Sequence, residues 1–217
     1  MIDLHTHTLL SDGELLPSEL VQRACKVGYT AIALTDHVDS SNIERVVPEL
    51  VKVAESLNKL GTIKVIPGAE VTHVPFKGIK EMVKIARDLG AKLIVVHGET
   101  IVEPVIPGTN REGIEAGADI LAHPGFISED DVRLAKERGV HLEITARSGH
   151  SLTNGYVAKL ATKLGAKLVF STDSHLVDNL ATDEKRERVL YGAGLEKSEV
   201  QKAILNVEEI VKRIFKI

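Results

Sequence analysis

The stretch Asp3-Leu4-His5-Thr6-His7, with Ser11-Asp12-Gly13 close behind it, sets two imidazoles side by side near the start of the chain. Side chains alternate along a strand, so Asp3, His5 and His7 are expected on one face and Ile2, Leu4 and Thr6 on the other. Two neutral imidazoles bind a divalent metal without completing its coordination sphere, so further ligands must come from elsewhere. Suitable residues recur after apolar runs: His37, Glu70, His97, His123, Asp173 and His175, with Asp12 near the first pair. Six imidazoles and three carboxylates exceed what one ion needs, which points to two or three divalent metals in one site.

The elements that must position these residues repeat. Pro17 to Gly28 reads as a helix with proline in its first turn and glycine as its stop. A β-prone run, Tyr29 to Thr35, follows and delivers Asp36-His37. The same order leads to His97 after Leu93-Val96, to His123 after Ile120-Ala122 and to Asp173-Ser174-His175 after Leu168-Thr172. Leu142 to Thr145 ends near Arg147, and Ile63 to Ala69 ends at Glu70. Together with Ile2 to His5 this makes seven strands, and those after the first recur in the order helix, glycine, apolar run. Such a pattern predicts an α/β fold, a parallel sheet closed as a TIM-like barrel, with the chemistry at the C-terminal ends of the strands. Beyond His175 three helices are expected, near Asp183 to Leu190, Ser198 to Leu205 and Val207 to Phe215, and no eighth strand.

At 217 residues the chain fits one domain, 1–217, and 43% hydrophobic and 27% charged residues are the composition of a globular protein. No apolar run is long enough to span a bilayer, and the first strand starts without a leader-like segment, so a cytoplasmic location is expected. Cys25 falls in an apolar helical pattern and reads as a buried thiol. A net charge of −4 and 3% aromatic residues argue against a surface for long nucleic acid. A compact phosphorylated partner remains compatible; oligomeric state is not readable.

Taken in order, His-x-His-x4-Asp-Gly, Thr-Asp-His, Gly-x-Glu, Val-His-Gly, Ala-His-Pro-Gly and Ser-Thr-Asp-Ser-His resemble the motifs of the polymerase and histidinol phosphatase (PHP) superfamily, over His5 to His175. The resemblance implies a distorted seven-stranded β/α barrel binding zinc, manganese or iron. It implies that His5, His7, Glu70 and Asp173 hold a first metal. Glu70 would bridge to a second metal held by His97 and His123, and Asp12, His37 and His175 would hold a third. The implied chemistry is hydrolysis of a phosphate ester by metal-activated hydroxide.

Asp36 is then a candidate to orient an imidazole, and Arg147 to grip phosphate oxygens through its donor fork. Two of the candidates have plainer readings: Ser11-Asp12-Gly13 is also an ordinary turn, which would leave Asp12 structural, and Arg147 is also readable as a solvated arginine. His73, His141 and His150 lie outside the motifs; His141 starts a strand, at the wrong end of the barrel, whereas His150 falls near its mouth. The long connection from Gly98 to Gly113 carries Glu99 and Glu103, either of which would suit an amine-bearing leaving group such as that of histidinol. Many relatives have Glu-Ile-Asn where this chain has Glu143-Ile144-Thr145, which loosens any direct transfer of substrate. The leading expectation is a phosphomonoesterase on a small metabolite, L-histidinol phosphate first. The alternatives are a phosphodiesterase or nuclease acting on a nucleotide or short oligonucleotide, and a non-catalytic metal-binding module.

Overall fold

The structure, a computed structural model, describes residues 1–61 and 63–217, apart from the side chain of Phe76. Eight strand segments form one parallel sheet: β1 (Ile2–Asp3), β2 (Ala31–Leu34), β3 (His37–Val38), β4 (Lys64–Val71), β5 (Leu93–His97), β6 (Ile120–Ala122), β7 (His141–Thr145) and β8 (Leu168–Ser171). The spatial order is β1-β2-β4-β5-β6-β7-β8, with β3 also on β4. Ala31 pairs with Lys64 and His37 with Glu70, so β2 and β3 keep one register and are a single strand interrupted at Thr35-Asp36. Seven strands therefore run round the sheet, as the sequence predicts. A parallel bridge between Thr6 and Ser174, with the His7 N–H donating to the Ser174 carbonyl at 2.8 Å, brings the two edges together into a nearly closed barrel.

The helices are α1 (Pro17–Val27), α2 (Ile43–Leu60), α3 (Phe76–Asp88), α4 (Thr109–Glu115), α5 (Glu129–Arg138), α6 (Asn154–Leu164), α7 (Asp183–Gly192) and α8 (Lys197–Phe215). Buried apolar residues sort into two sets. Ile32, Leu34, Ile94, Val96, Leu121, Leu142 and Phe170 pack with helix residues such as Leu20, Leu50, Ile79 and Val132. Their strand neighbours Ala31, Ala33, Leu93, Val95, Ile120, Ala122 and Val169 form a second cluster with Leu4 and Ile66. Strands that are apolar on both faces are the signature of a barrel sheathed in helices.

Three expectations are corrected. The candidates Ser198–Leu205 and Val207–Phe215 are one continuous helix, α8. Asn206 does not break it, because its side-chain amide is used in a tertiary bond to the Leu168 carbonyl at 2.8 Å. This helix adds Val207, Ile210 and Val211 to the second cluster, each worth about 1.5–3 kcal/mol on full burial. Cys25 is only half-buried, packed against the edge of the core. The β1 alternation ends at a bend at Leu4. Asp3 accordingly faces Thr172 and Tyr29 instead of joining His5: Thr172 Oγ1 donates to it at 2.6 Å and the Tyr29 hydroxyl at 3.4 Å. No helix among the described residues is long and apolar enough to cross a membrane.

Candidate metal centre

All nine residues singled out as ligands lie at or just past the C-terminal ends of strands, and they converge. Glu70, the penultimate residue of β4, is the hub. Its Oε2 lies 3.3 Å from His5 Nε2, 3.6 Å from His7 Nε2 and 2.7 Å from His37 Nδ1, and its Oε1 lies 3.8 Å from His123 Nε2. Asp173 stands opposite, with Oδ1 3.2 Å from His7 Nε2 and Oδ2 3.7 Å from His123 Nε2. Asp12, the most exposed of the nine, faces His175 Nε2 at 3.2 Å and His37 Nε2 at 3.6 Å. Neighbouring donors on a tetrahedral zinc are about 3.3 Å apart, as follows from zinc–ligand bonds of about 2.0–2.1 Å. Among these nine, four groupings bring their donor atoms within 4.8 Å of one another: His5-His7-Glu70, His5-His123-Asp173, Glu70-His97-His123 and His7-Asp12-His37-His175.

The imidazoles are turned for this task by their other nitrogens. His5 Nδ1 meets Glu143 Oε1 at 2.8 Å, His97 Nδ1 the Gly98 carbonyl at 3.1 Å and His175 Nδ1 the Asp173 carbonyl at 3.0 Å. A protonated Nδ1 held this way leaves the Nε2 lone pair free for a metal. Meanwhile His5 Nε2, both nitrogens of His7, both oxygens of Glu70, His123 Nδ1 and Asp173 Oδ1 are buried without a hydrogen-bond partner. Polar atoms are rarely buried unsatisfied, and here they gather in one spot. Divalent cations would satisfy them, so the donor set fits the metals that its chemistry implies.

The electrostatics agree. Burial pushes Asp173 up to about 7, assisted by repulsion from Glu70 and Glu143 and opposed by His5. For Glu70 burial acts upward too, but His5 and His37 outweigh it and hold the carboxyl well below its ordinary value. Burial drives His7 and His123 well below the usual imidazole range, with neighbouring imidazoles adding to the effect. His5, equally buried, is instead held well above that range by Glu70, Glu143 and Asp173. Bound cations would take the place of the protons these groups contest.

The backbone is shaped for close approach. His123 and Asp173 have positive φ, 26° and 51°, a conformation L-residues adopt at a cost and keep where the surroundings impose it. A Cβ on Gly98 would overlap the Ala122 carbonyl oxygen, and one on Gly125 the Glu99 carbonyl oxygen. The glycines of Val-His-Gly and Ala-His-Pro-Gly thus let the two ligand-bearing turns pack against each other.

A cavity of about 690 Å³ opens over the cluster, lined among others by Asp12, His37, His97, Asp173 and His175. Arg147 is at its wall, Nε 4.0 Å from Asp173 Oδ2, and is the one Lys or Arg among the described lining residues. Asp36 does not orient an imidazole. Its carboxylate accepts from the backbone N–H and hydroxyl of both Thr8 and Ser11, at 2.7–3.0 Å, and so braces the turn that carries Asp12. Glu99 is likewise spent on its own loop, accepting from the Gly108 and Asn110 N–H groups at 2.9 Å, and the connection is shorter than expected because α4 starts at Thr109. Glu103 does face the cavity, but three imidazoles surround it.

His150 lines the cavity, stacked on His123 with ring centroids 4.2 Å apart, as does His73; His141 is at the far end of β7, against the Asp119 carbonyl. Sequence reasoning missed Glu143, which holds His5 with one oxygen and accepts the His123 N–H with the other at 2.9 Å. Its signal was there: a carboxylate between Leu142 and Ile144 in a buried strand.

A nearly closed β/α barrel with clustered His, Asp and Glu at its C-terminal mouth defines a TIM-like barrel protein with a candidate metal centre. A family model, the PHP domain, matches residues 3–214, and the chain belongs to that family. It is 47% identical to uncharacterized protein MJ1295 of Methanocaldococcus jannaschii, over 98% of this chain and 99% of that one. It is 25% identical to a probable phosphatase of Clostridium novyi, NT01CX_1282, over 96% and 91% of the two chains. Among solved structures, a chain from archaeal ribonuclease P with mature tRNA superposes with a TM-score of 0.75 at 18% identity, covering 99% of this chain and 91% of that one. Histidinol phosphate phosphatase from Lactococcus lactis, complexed with zinc, L-histidinol and phosphate, gives 0.62 at 18%, covering 90% and 94%. At that identity the superpositions establish the fold alone.

Proposed function

We propose that this chain is a single-domain, cytoplasmic phosphomonoesterase that hydrolyses a small phosphorylated metabolite with two or three bound zinc, manganese or iron ions. The observation that carries this reading is the convergence of nine donor residues, Glu70 among them, five of which (Asp12, His37, His97, Asp173 and His175) line a cavity of about 690 Å³, the volume of a metabolite site rather than a polymer groove. In this reading His5, His7, Glu70 and Asp173 hold one ion, Glu70, His97 and His123 a second, and Asp12, His37 and His175 a third.

When bound, the ions supply hydroxide near neutral pH and neutralise phosphoryl oxygens. The chain's own residues do the rest. Arg147 presents planar N–H donors beside Asp173, where they grip non-bridging phosphate oxygens. Glu143 fixes the His5 ring, and Asp36 fixes the turn bearing Asp12. No covalent protein nucleophile is needed. A single Lys or Arg among the described residues of the cavity wall suits one phosphate group better than a polynucleotide backbone.

L-histidinol phosphate is the first candidate, supported by the Lactococcus phosphatase that shares the fold and by the probable phosphatase of Clostridium novyi. The test is phosphate release from L-histidinol phosphate, p-nitrophenyl phosphate and bis(p-nitrophenyl) phosphate by protein loaded with manganese or zinc. Monoester turnover lost in His123→Ala supports the proposal. Diester turnover alone would replace it with the phosphodiesterase reading. Inactivity on every ester, from protein with its full metal content, would favour the metal-binding module.

A further inference from the structure

Among the described residues, one further grouping that reaches beyond the nine, sharing His97 with them, brings its donor atoms within 4.8 Å of one another: His73, His97 and Glu103. His73 follows Glu70 by three residues and holds φ 51°, and Glu103 comes from the loop after β5. Glu103 Oε2 lies 3.2 Å from His73 Nε2 and 3.0 Å from His97 Nε2, near the donor spacing of about 3.3 Å on a tetrahedral zinc. All three line the cavity, and His150 Nε2 stands 3.4 Å from the other Glu103 oxygen. Two imidazoles and a carboxylate with an open side make a donor set for a first-row divalent cation.

We propose that His73, His97 and Glu103 form an outer divalent-cation site at the rim of the cavity, sharing His97 with the inner centre. Sharing has a consequence. His97 Nδ1 is committed to the Gly98 carbonyl, so Nε2 is its one metal-facing atom, and a single lone pair serves one ion at a time. An outer ion and the inner ion bound by Glu70, His97 and His123 therefore compete for His97. The outer site fills at high metal concentration and loosens that inner ion as it does so. This goes beyond the proposed phosphatase activity and rests only on the chain being a metal protein.

Zinc is the probe, and no substrate is present, so the outcome is independent of whether any phosphate ester is hydrolysed. Chelator competition on wild type should resolve a tightly held class of zinc and one weaker ion per chain. In His73→Asn and in Glu103→Gln the weaker class should lose at least about tenfold in affinity, the scale of deleting one interaction at a metal site. Crystals soaked in excess zinc should show an anomalous peak between His73 and Glu103 in wild type and in neither variant. His73 is an exposed side chain, and circular dichroism before each titration checks that the variants fold. An absent weaker class, its persistence in both variants, or anomalous density only between Glu70, His97 and His123 would each overturn the proposal.

Discussion

Glu143 Oε1 lies 2.8 Å from His5 Nδ1 while its Oε2 accepts the His123 backbone N–H, so one buried carboxylate fixes the ring of one candidate ligand and the backbone that carries another, past the ends of two different strands. Glu143→Gln keeps the shape and removes the charge. Metal affinity, read by competition with a chelator, should fall about 10–100-fold, the cost typical of losing a ligand's orienting partner. Unchanged affinity would show that His5 orients itself.

Removing the metals should destabilise the fold, because the buried atoms they satisfy would be left unpaired. Ions at a thousand times their dissociation constant contribute about 4 kcal/mol, and for a chain of this size that corresponds to roughly 10 °C in Tm. Differential scanning calorimetry with and without EDTA measures it, and adding back zinc or manganese should restore the higher value.

Arg147→Ala should raise KM for a phosphate monoester about 10–100-fold, through loss of a charged donor pair worth about 1.5–3 kcal/mol, with no change in bound metal. Steady-state kinetics paired with metal analysis separates this from a structural effect. A KM that stays put would return Arg147 to the solvated surface.

Asp36→Ala strands four donors on Thr8 and Ser11, and a cost of about 2–4 kcal/mol in urea unfolding is expected. Because the turn it braces carries Asp12, binding at Asp12, His37 and His175 should weaken more than binding at Glu70.

Burial pushes Asp3 up to about 6, against the lowering hydrogen bonds from Thr172 and His5. The native state then binds a proton that the unfolded chain, at its ordinary carboxylate value, releases earlier. Stability from this group is present at about pH 4, falls as pH rises through about 6 and then levels, by up to about 3 kcal/mol. Asp3→Asn should flatten that part of the urea-derived stability profile between pH 4 and 7.

The barrel strands and the convergence of the candidate ligands were legible for the same reason. Each strand is an apolar run with both faces buried, so the first polar residue after it marks the mouth, and His97, His123 and Asp173 were found by that break. Illegible were choices among partners brought together only by closure. Asp36 adjoins His37 in sequence yet turns to Thr8 and Ser11, and Glu143 reads as one more strand residue until His5 folds against it. Asp3 misled because alternation holds only while the strand stays straight, and the chain bends at Leu4. Asn206 misled in the opposite sense, as a polar residue that ends no helix because its amide bonds outward to Leu168.

The seam at Thr6 and Ser174 gives the molecule a sense of time. His5 and His7 leave the ribosome well before Asp173, which faces them, and His175, both of which follow more than 160 residues later. A nascent chain can assemble its first six strands and still offer only an unfinished cage. On the proposed metal reading, ion capture would timestamp the docking of the β8 strand, and a ribosome-bound chain stalled before Asp173 should fail to retain an ion that the chain carrying Asp173 and His175 keeps.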